Sequence, residues 1–169
     1  GLAFGFTSVI WEAAQGLDLQ INSGSKRPIT LIHGGGWKKL AALNISSEQF
    51  NTLVSDRFQT TQIHNYYGMV EQTGSVFFEC SSGRMHASAY SEVIIRDPLT
   101  LDVLPAGVEG VIQVFSSLPE SYPGHSILTE DVGVLSEDEL CECGRFGSGV
   151  KVVGRLPDAE IRGCSDVYG

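Results

Sequence analysis

Asn65-Tyr66-Tyr67-Gly68-Met69-Val70-Glu71 brings two aromatic rings, a glycine and a carboxylate into one short stretch. An aromatic face stacks on a base, a glycine lets backbone approach a ligand, and a carboxylate can hold Mg²⁺. A second candidate is Gly34-Gly35-Gly36, followed by Trp37 and Lys38. It reads either as a tight turn after a strand or as backbone lying flat against a planar group such as adenine. It is not a P-loop, because the spacing to lysine is wrong and no Ser or Thr follows. A third is the pair Thr129-Glu130-Asp131-Val132-Gly133 and Gly154-Arg155-Leu156-Pro157-Asp158. A loop carboxylate such as Asp131 can take both hydroxyls of a ribose, and Arg155 can take a hydroxyl or a phosphate. Solvated turn charges are the alternative reading.

The four cysteines are Cys80, Cys141, Cys143 and Cys164. That is too sparse for a secreted disulfide scaffold, and Cys141 and Cys143 stand too close for an ordinary disulfide with each other. With His86, the cysteines at 80, 141 and 143 form a Cys₃His set of soft ligands suited to structural Zn²⁺. Buried, inert thiols beside a surface histidine are the alternative. Cys164 follows Arg162, a cation able to lower a thiol pKa, so it is either a nucleophile or an idle cysteine.

The elements that position these groups follow from periodicity. Apolar residues at helical spacing from Phe4 to Leu17 predict a helix stopped at Gly16. Pro28 to His33 reads as a strand covered on both faces, opening into the glycines. Ser46 or Ser47 caps a helix bearing Phe50, Leu53, Val54 and Phe58. Thr60 to Tyr66 is the next strand. Strand, helix, strand implies a right-handed parallel unit that gathers Gly34–Trp37 and Tyr67–Glu71 at one sheet edge. After Gly74 come short β-rich runs: Val76-Phe77-Phe78, Ala89–Ile95, Gly110–Phe115, Ile127-Leu128 and Val150–Val153. Asp97-Pro98, Pro105-Ala106-Gly107 and Pro123-Gly124 mark turns between them. The expected fold class is α/β: part of a parallel βαβ lobe over residues 1–75, then a mostly antiparallel β lobe, a distorted barrel, over 76–169.

The 169 residues, 42% of them hydrophobic, suffice for one core or two small ones. A net charge of -9 argues against nucleic acid or an anionic membrane as partner. No apolar run reaches the roughly 20 residues of a membrane span, and no signal segment opens the chain, so the expected location is cytoplasmic. The sequence starts abruptly in patterned residues, which predicts a piece of something longer.

In order, these motifs resemble the carboxyl-terminal half of adenylate-forming enzymes, the acyl-CoA synthetase superfamily. Within it the chain is most similar to the acyl-protein synthetases of the bacterial bioluminescence type (long-chain-fatty-acid–luciferin-component ligases), and it is also similar to the phenylacetate-CoA ligase branch. The likeness runs from about Pro28 onward. The family's Tyr-Gly-x-Thr-Glu corresponds to Tyr67-Gly68-Met69-Val70-Glu71. The resemblance implies that Tyr67 stacks on adenine, flanked by Tyr66 and Gly68, and that Glu71 binds Mg²⁺. Val70 replaces a threonine that contacts the AMP phosphate, and Thr73 is the nearest substitute. Thr129-Glu130-Asp131 resembles Thr-Gly-Asp, implying Asp131 on the ribose, with Glu130 departing from glycine. Gly154-Arg155 resembles the family's Gly-Arg. Gly34–Gly36 resembles the loop beside adenine, and Cys141-Glu142-Cys143-Gly144-Arg145 the Cys-x-Cys-Gly-Arg of the phenylacetate branch.

The resemblance thus implies a fragment of an ATP-dependent ligase, with ATP/AMP and Mg²⁺ and possible structural Zn²⁺. It would activate a fatty carboxylic acid as acyl-AMP and pass the acyl group to a cysteine, Cys164, with an acyl reductase or other acceptor protein as partner. The family's phosphate loop, which lies upstream of everything here, is expected on the longer chain. Two rivals stand beside this: a ligase of the phenylacetate type that uses coenzyme A, and a non-catalytic, zinc-stabilised interaction domain.

Overall fold

The computed structural model describes residues 1–16, 29–35, 40, 43–147 and 149–157. They fall into two units, the first Gly1–Tyr66 and the second beginning at Tyr67.

In the first unit the chain runs β1 (Leu2–Phe6), α1 (Thr7–Gly16), β2 (Thr30–Gly34), α2 (Ser47–Phe58) and β3 (Gln62–Tyr67). β2 pairs in parallel with β1 on one side and β3 on the other. The expected strand, helix, strand unit is present, and β1 adds a parallel strand that the sequence reading missed. The apolar spacing alone predicts a helix from Phe4. The apolar positions 6, 9, 10, 13 and 14 are indeed helical in spacing, but over Leu2–Phe6 burial alternates with period two, and Gly5 disfavours a helix. Helix begins only at Thr7 and stops at Gly16, as expected.

Ser46 caps α2 through a capping box. The Gln49 amide donates to Ser46 Oγ at 3.2 Å, and the Ser46 amide donates to Gln49 Oε1 at 2.8 Å. The helix ends on Gln59, a left-handed residue at φ 50°. Between these stops Phe50 and Val54 fall on one face and are fully buried, with Ile10, Trp11, Ala14, Leu31 and Leu40, to form the core of this unit. Burying a ring such as Phe50 contributes about 1.5–3 kcal/mol.

The second unit opens with a single 3₁₀ turn (Val70–Gln72). Its strands are β4 (Phe77–Glu79), β5 (Met85–His86), β6 (Ser91–Arg96), β7 (Gly110–Ser116), β8 (Ser126–Leu135) and β9 (Gly149–Arg155). They lie in the order β4-β5-β9-β8-β7-β6, each neighbour antiparallel. This is the expected antiparallel β lobe, and its sheet is not closed. Phe77, Met85, Val93, Ile95, Ile112, Val114 and Val150 form its core.

The polar residues of Thr129 to Gly133 predict a loop, but they lie inside β8, a ten-residue strand. Its polar residues hid it, and a bulge reconciles them with a strand. Val111 pairs with Val132 and Gln113 with Leu128, so Ile112 alone faces Thr129, Glu130 and Asp131. Thr129 Oγ fills the broken ladder, donating to Ile112 O at 2.8 Å and accepting from the Asp131 amide at 3.1 Å. A second irregularity follows on the other side of β8, where Val132 pairs with Gly154 and Gly133 with Val152, leaving Val153 unopposed.

Candidate functional site

The two carboxyl ends of β2 and β3 lie in register at Gly34 and Tyr66. A Cβ on Gly34 would stand 2.5 Å from Tyr66 Cε1, so the planar group already lying on that glycine is the Tyr66 ring. That ring also stacks on Phe4, with centroids 5.5 Å apart and planes at 27°. Gly35 has φ 65°, a turn conformation that suits glycine. Gly36, and likewise Cys164, lie outside the described residues.

Tyr67, Asp131 and Arg155 are brought together in the second unit. Tyr67 Oη donates to Asp131 Oδ2 at 2.8 Å, and Arg155 Nε stands 3.2 Å from Asp131 Oδ1. Arg155 Nη2 also reaches Glu130 Oε2 at 2.5 Å. Asp131 and Arg155 are register partners on β8 and β9, and each belongs to an irregular stretch of its strand. Bulges re-aim side chains, and they concentrate beside active sites. Burial first, then the Asp131 charge, pushes the Tyr67 phenol far above its ordinary value, so it donates its proton to Asp131 rather than losing it. Its ring packs on Phe77 at 5.9 Å.

Gly68 is exposed after β3. Glu71 sits exposed in the 3₁₀ turn next to Gln72, which is fully buried. Gln72 Nε2 donates to Gly124 O at 2.7 Å and Val114 O at 3.3 Å, fastening the turn that carries Glu71 to β7 and its following loop. Sequence reasoning assigned no role to Gln72 or Thr129. For Thr129 the signal was available, a β-branched hydroxyl two residues before a carboxylate; for Gln72 nothing local marks the distant carbonyls it reaches.

Cys80, His86, Cys141 and Cys143 also converge, with their ligand atoms all within 4.8 Å of one another. His86 and Cys141 are buried, so the surface reading of His86 is excluded. The amide of Cys143, hydrogen-bonded to Cys141, holds that thiol down at about 6 against the opposing effect of burial.

In the first unit, His33 is also buried, 3.0 Å from Thr7 Oγ and 4.5 Å, ring to ring, from Phe50. Burial, with His64 nearby, pushes its pKa down to about 4.

The fold is one shared with several solved enzymes. It is similar to 2-hydroxyisobutyryl-CoA ligase in complex with 2-HIB-AMP and CoA, at TM-score 0.69 and 17% identity, covering 93% of this chain and 34% of that one. It is similar also to ATP-bound MatB from Rhodopseudomonas palustris, at TM-score 0.59 and 18% identity, with 91% and 30% covered. A third likeness is to the luciferase-like enzyme of the Zophobas morio mealworm, at TM-score 0.61 and 16% identity, with 92% and 38% covered. At these identities the likeness is one of fold.

Over residues 4–169 the chain matches the family described as acyl-protein synthetase, LuxE, and it belongs to that family. The match begins well before Pro28. Two curated relatives carry the name long-chain-fatty-acid–luciferin-component ligase. That of Vibrio harveyi is 29% identical over 142 residues, 82% of this chain, and that of Aliivibrio fischeri 30% over 141 residues, 81% of this chain. The matched region spans 36% of the length of each relative. No described helix is long and apolar enough to cross a membrane.

Proposed function

We propose that this chain is the nucleotide-holding part of a ligase that activates a carboxylic acid with ATP. The observation that carries the reading is Asp131, held between Tyr67 and Arg155 on two irregular strands, in a member of the acyl-protein synthetase family. A carboxylate fixed in advance by one hydrogen bond and one ion pair loses little entropy when a sugar binds to its remaining lone pairs. In the reaction, a carboxylate oxygen of the acid attacks the α-phosphorus of ATP, and the bond to the bridging oxygen breaks to release pyrophosphate. A thiolate then attacks the acyl carbonyl, forming a thioester and releasing AMP.

Asp131 takes the ribose hydroxyls, Tyr67 offers its ring to the base, and Arg155 places a fixed cation beside sugar or phosphate. Glu71 suits Mg²⁺, an ion that keeps several waters and shares one or two carboxylates with substrate phosphates. It is an exposed carboxylate on a turn anchored by a buried Gln72. Mg²⁺ bound there would supply charge neutralisation on the phosphates. The acid in this reading is a long-chain fatty acid, the substrate in the names of both curated relatives. The acceptor is Cys164, by resemblance to acyl-protein synthetases, from which a reductase or other protein receives the acyl group.

Carboxylate-dependent ATP–pyrophosphate exchange by the full-length protein tests this. Exchange is expected with fatty acids, and Asp131→Ala should lower kcat/KM for ATP about 10- to 100-fold, at about 1.4 kcal/mol per factor of ten. No exchange with any fatty or aryl acid would overturn the ligase reading. Labelling by radioactive fatty acid should vanish in Cys164→Ser; labelling that persists would refute that role for Cys164, and a product that requires coenzyme A would assign the reaction to the rival CoA ligase.

A further inference from the structure

Two turns far apart in sequence have the same construction. Cys80-Ser81-Ser82-Gly83-Arg84 and Cys141-Glu142-Cys143-Gly144-Arg145 each read Cys-x-x-Gly-Arg. In both, the cysteine amide donates to the arginine carbonyl, at 2.8 and 2.9 Å, and the glycine amide donates to the cysteine carbonyl, at 3.0 and 2.8 Å. In both the glycine has positive φ, 71° and 84°, a conformation that other residues adopt at a cost. The first turn ends at β5, whose His86 adds a nitrogen; the second carries two sulfurs.

From this convergence we infer a closed structural Zn²⁺ site formed by Cys80, His86, Cys141 and Cys143. Two of the ligand distances fit a tetrahedral metal. With Zn–S about 2.3 Å and Zn–N about 2.0–2.1 Å, a tetrahedron sets sulfur–sulfur at about 3.8 Å and sulfur–nitrogen at about 3.6 Å. Cys80 Sγ and Cys141 Sγ are 3.8 Å apart, and Cys143 Sγ and His86 Nε2 are 3.5 Å apart. A disulfide would require sulfurs at about 2.05 Å, and the three cysteines are free. Three thiolates and an imidazole fill the coordination sphere, leaving no open position for substrate, so the role is structural.

The position in the fold says what such a metal holds. Residues 136–148 connect β8 to β9, and β5 pairs with the start of β9 at Met85↔Val150 and His86↔Gly149. Arg84 and Asp138 add an ion pair at 3.3 Å between the same two segments. Zinc would fasten the β4–β5 hairpin to the connection between the strands that carry Asp131 and Arg155.

The test is metal content, which is read independently of any ligase activity. Full-length protein, purified without a polyhistidine tag or added metal, should contain about one zinc per chain, released as its thiols are titrated with a mercurial. Cobalt substitution should give the strong visible bands of tetrahedral thiolate coordination. Cys141→Ser should lose the metal; because that variant can also misfold, His86→Cys is paired with it and should retain zinc as a four-cysteine site. Folded protein that contains no zinc, takes up no cobalt and titrates these thiols freely, or that links Cys80 to Cys141 as a disulfide, would overturn the inference.

Discussion

At the scale of residues, the contact that matters most is the phenol of Tyr67 on Asp131. Tyr67→Phe keeps the ring and removes the hydrogen bond that orients the carboxylate. Such a bond contributes about 1 kcal/mol net, so KM for ATP in pyrophosphate exchange should rise about 5-fold with little change in kcat; Tyr67→Ala, which removes the ring as well, should cost more. A Phe variant kinetically identical to the parent would show that Asp131 does not depend on Tyr67. The sequence named Tyr67, Asp131 and Arg155, because tyrosine, carboxylate and arginine next to glycine are conspicuous. It did not reveal that they bond to one another, since that contact spans 64 positions. Gly34–Gly36 reads either as a tight turn or as backbone flat against a planar group, and at Gly34 the ring in contact is the chain's own Tyr66.

At the scale of elements, capping and periodicity were legible and strand irregularity was not. The Ser46 cap and the Phe50 and Val54 face of α2 depend on neighbours within a few residues, so the sequence displays them. The β8 bulge depends on which β7 residue stands opposite, which no local pattern encodes. The same holds for β5, two residues long and defined only by its partners β4 and β9. Packing of α1, β2 and α2 also has a pH consequence through His33. Its folded-state pKa of about 4 lies below the ordinary 6.5. Between those values the unfolded chain holds the extra proton, so stability falls as pH drops through that window and levels off below it. The slope from this one group is at most about 1.4 kcal/mol per pH unit. Urea midpoints at pH 7 and pH 5 should therefore differ less in His33→Gln than in the parent, and equal differences would remove His33 as the cause.

At the scale of the whole molecule, the class of fold was readable because helix-period and strand-period sequence lie in separate stretches, with a helix between the first parallel strands. The convergence of Cys80 with Cys141 across 61 positions was readable only as a ligand inventory. If zinc occupies that cluster, stripping it with a chelator should lower the thermal midpoint by ~5 °C, about 2 kcal/mol for a chain of this size, and restoring zinc should reverse the shift. An unchanged midpoint after proven metal removal would deny the site a part in stability. The first strand has a different kind of consequence. Among the described residues β1 has β2 as its one strand neighbour, and it displays Leu2, Phe4 and Phe6 at 71%, 67% and 38% exposure. A greasy strand with a hydrogen-bonding margin that no other described strand covers is a template for another chain of the same kind. Produced by itself, this stretch of protein would therefore tend to self-associate and lose solubility over time, margin against margin, unless other polypeptide shields that strand.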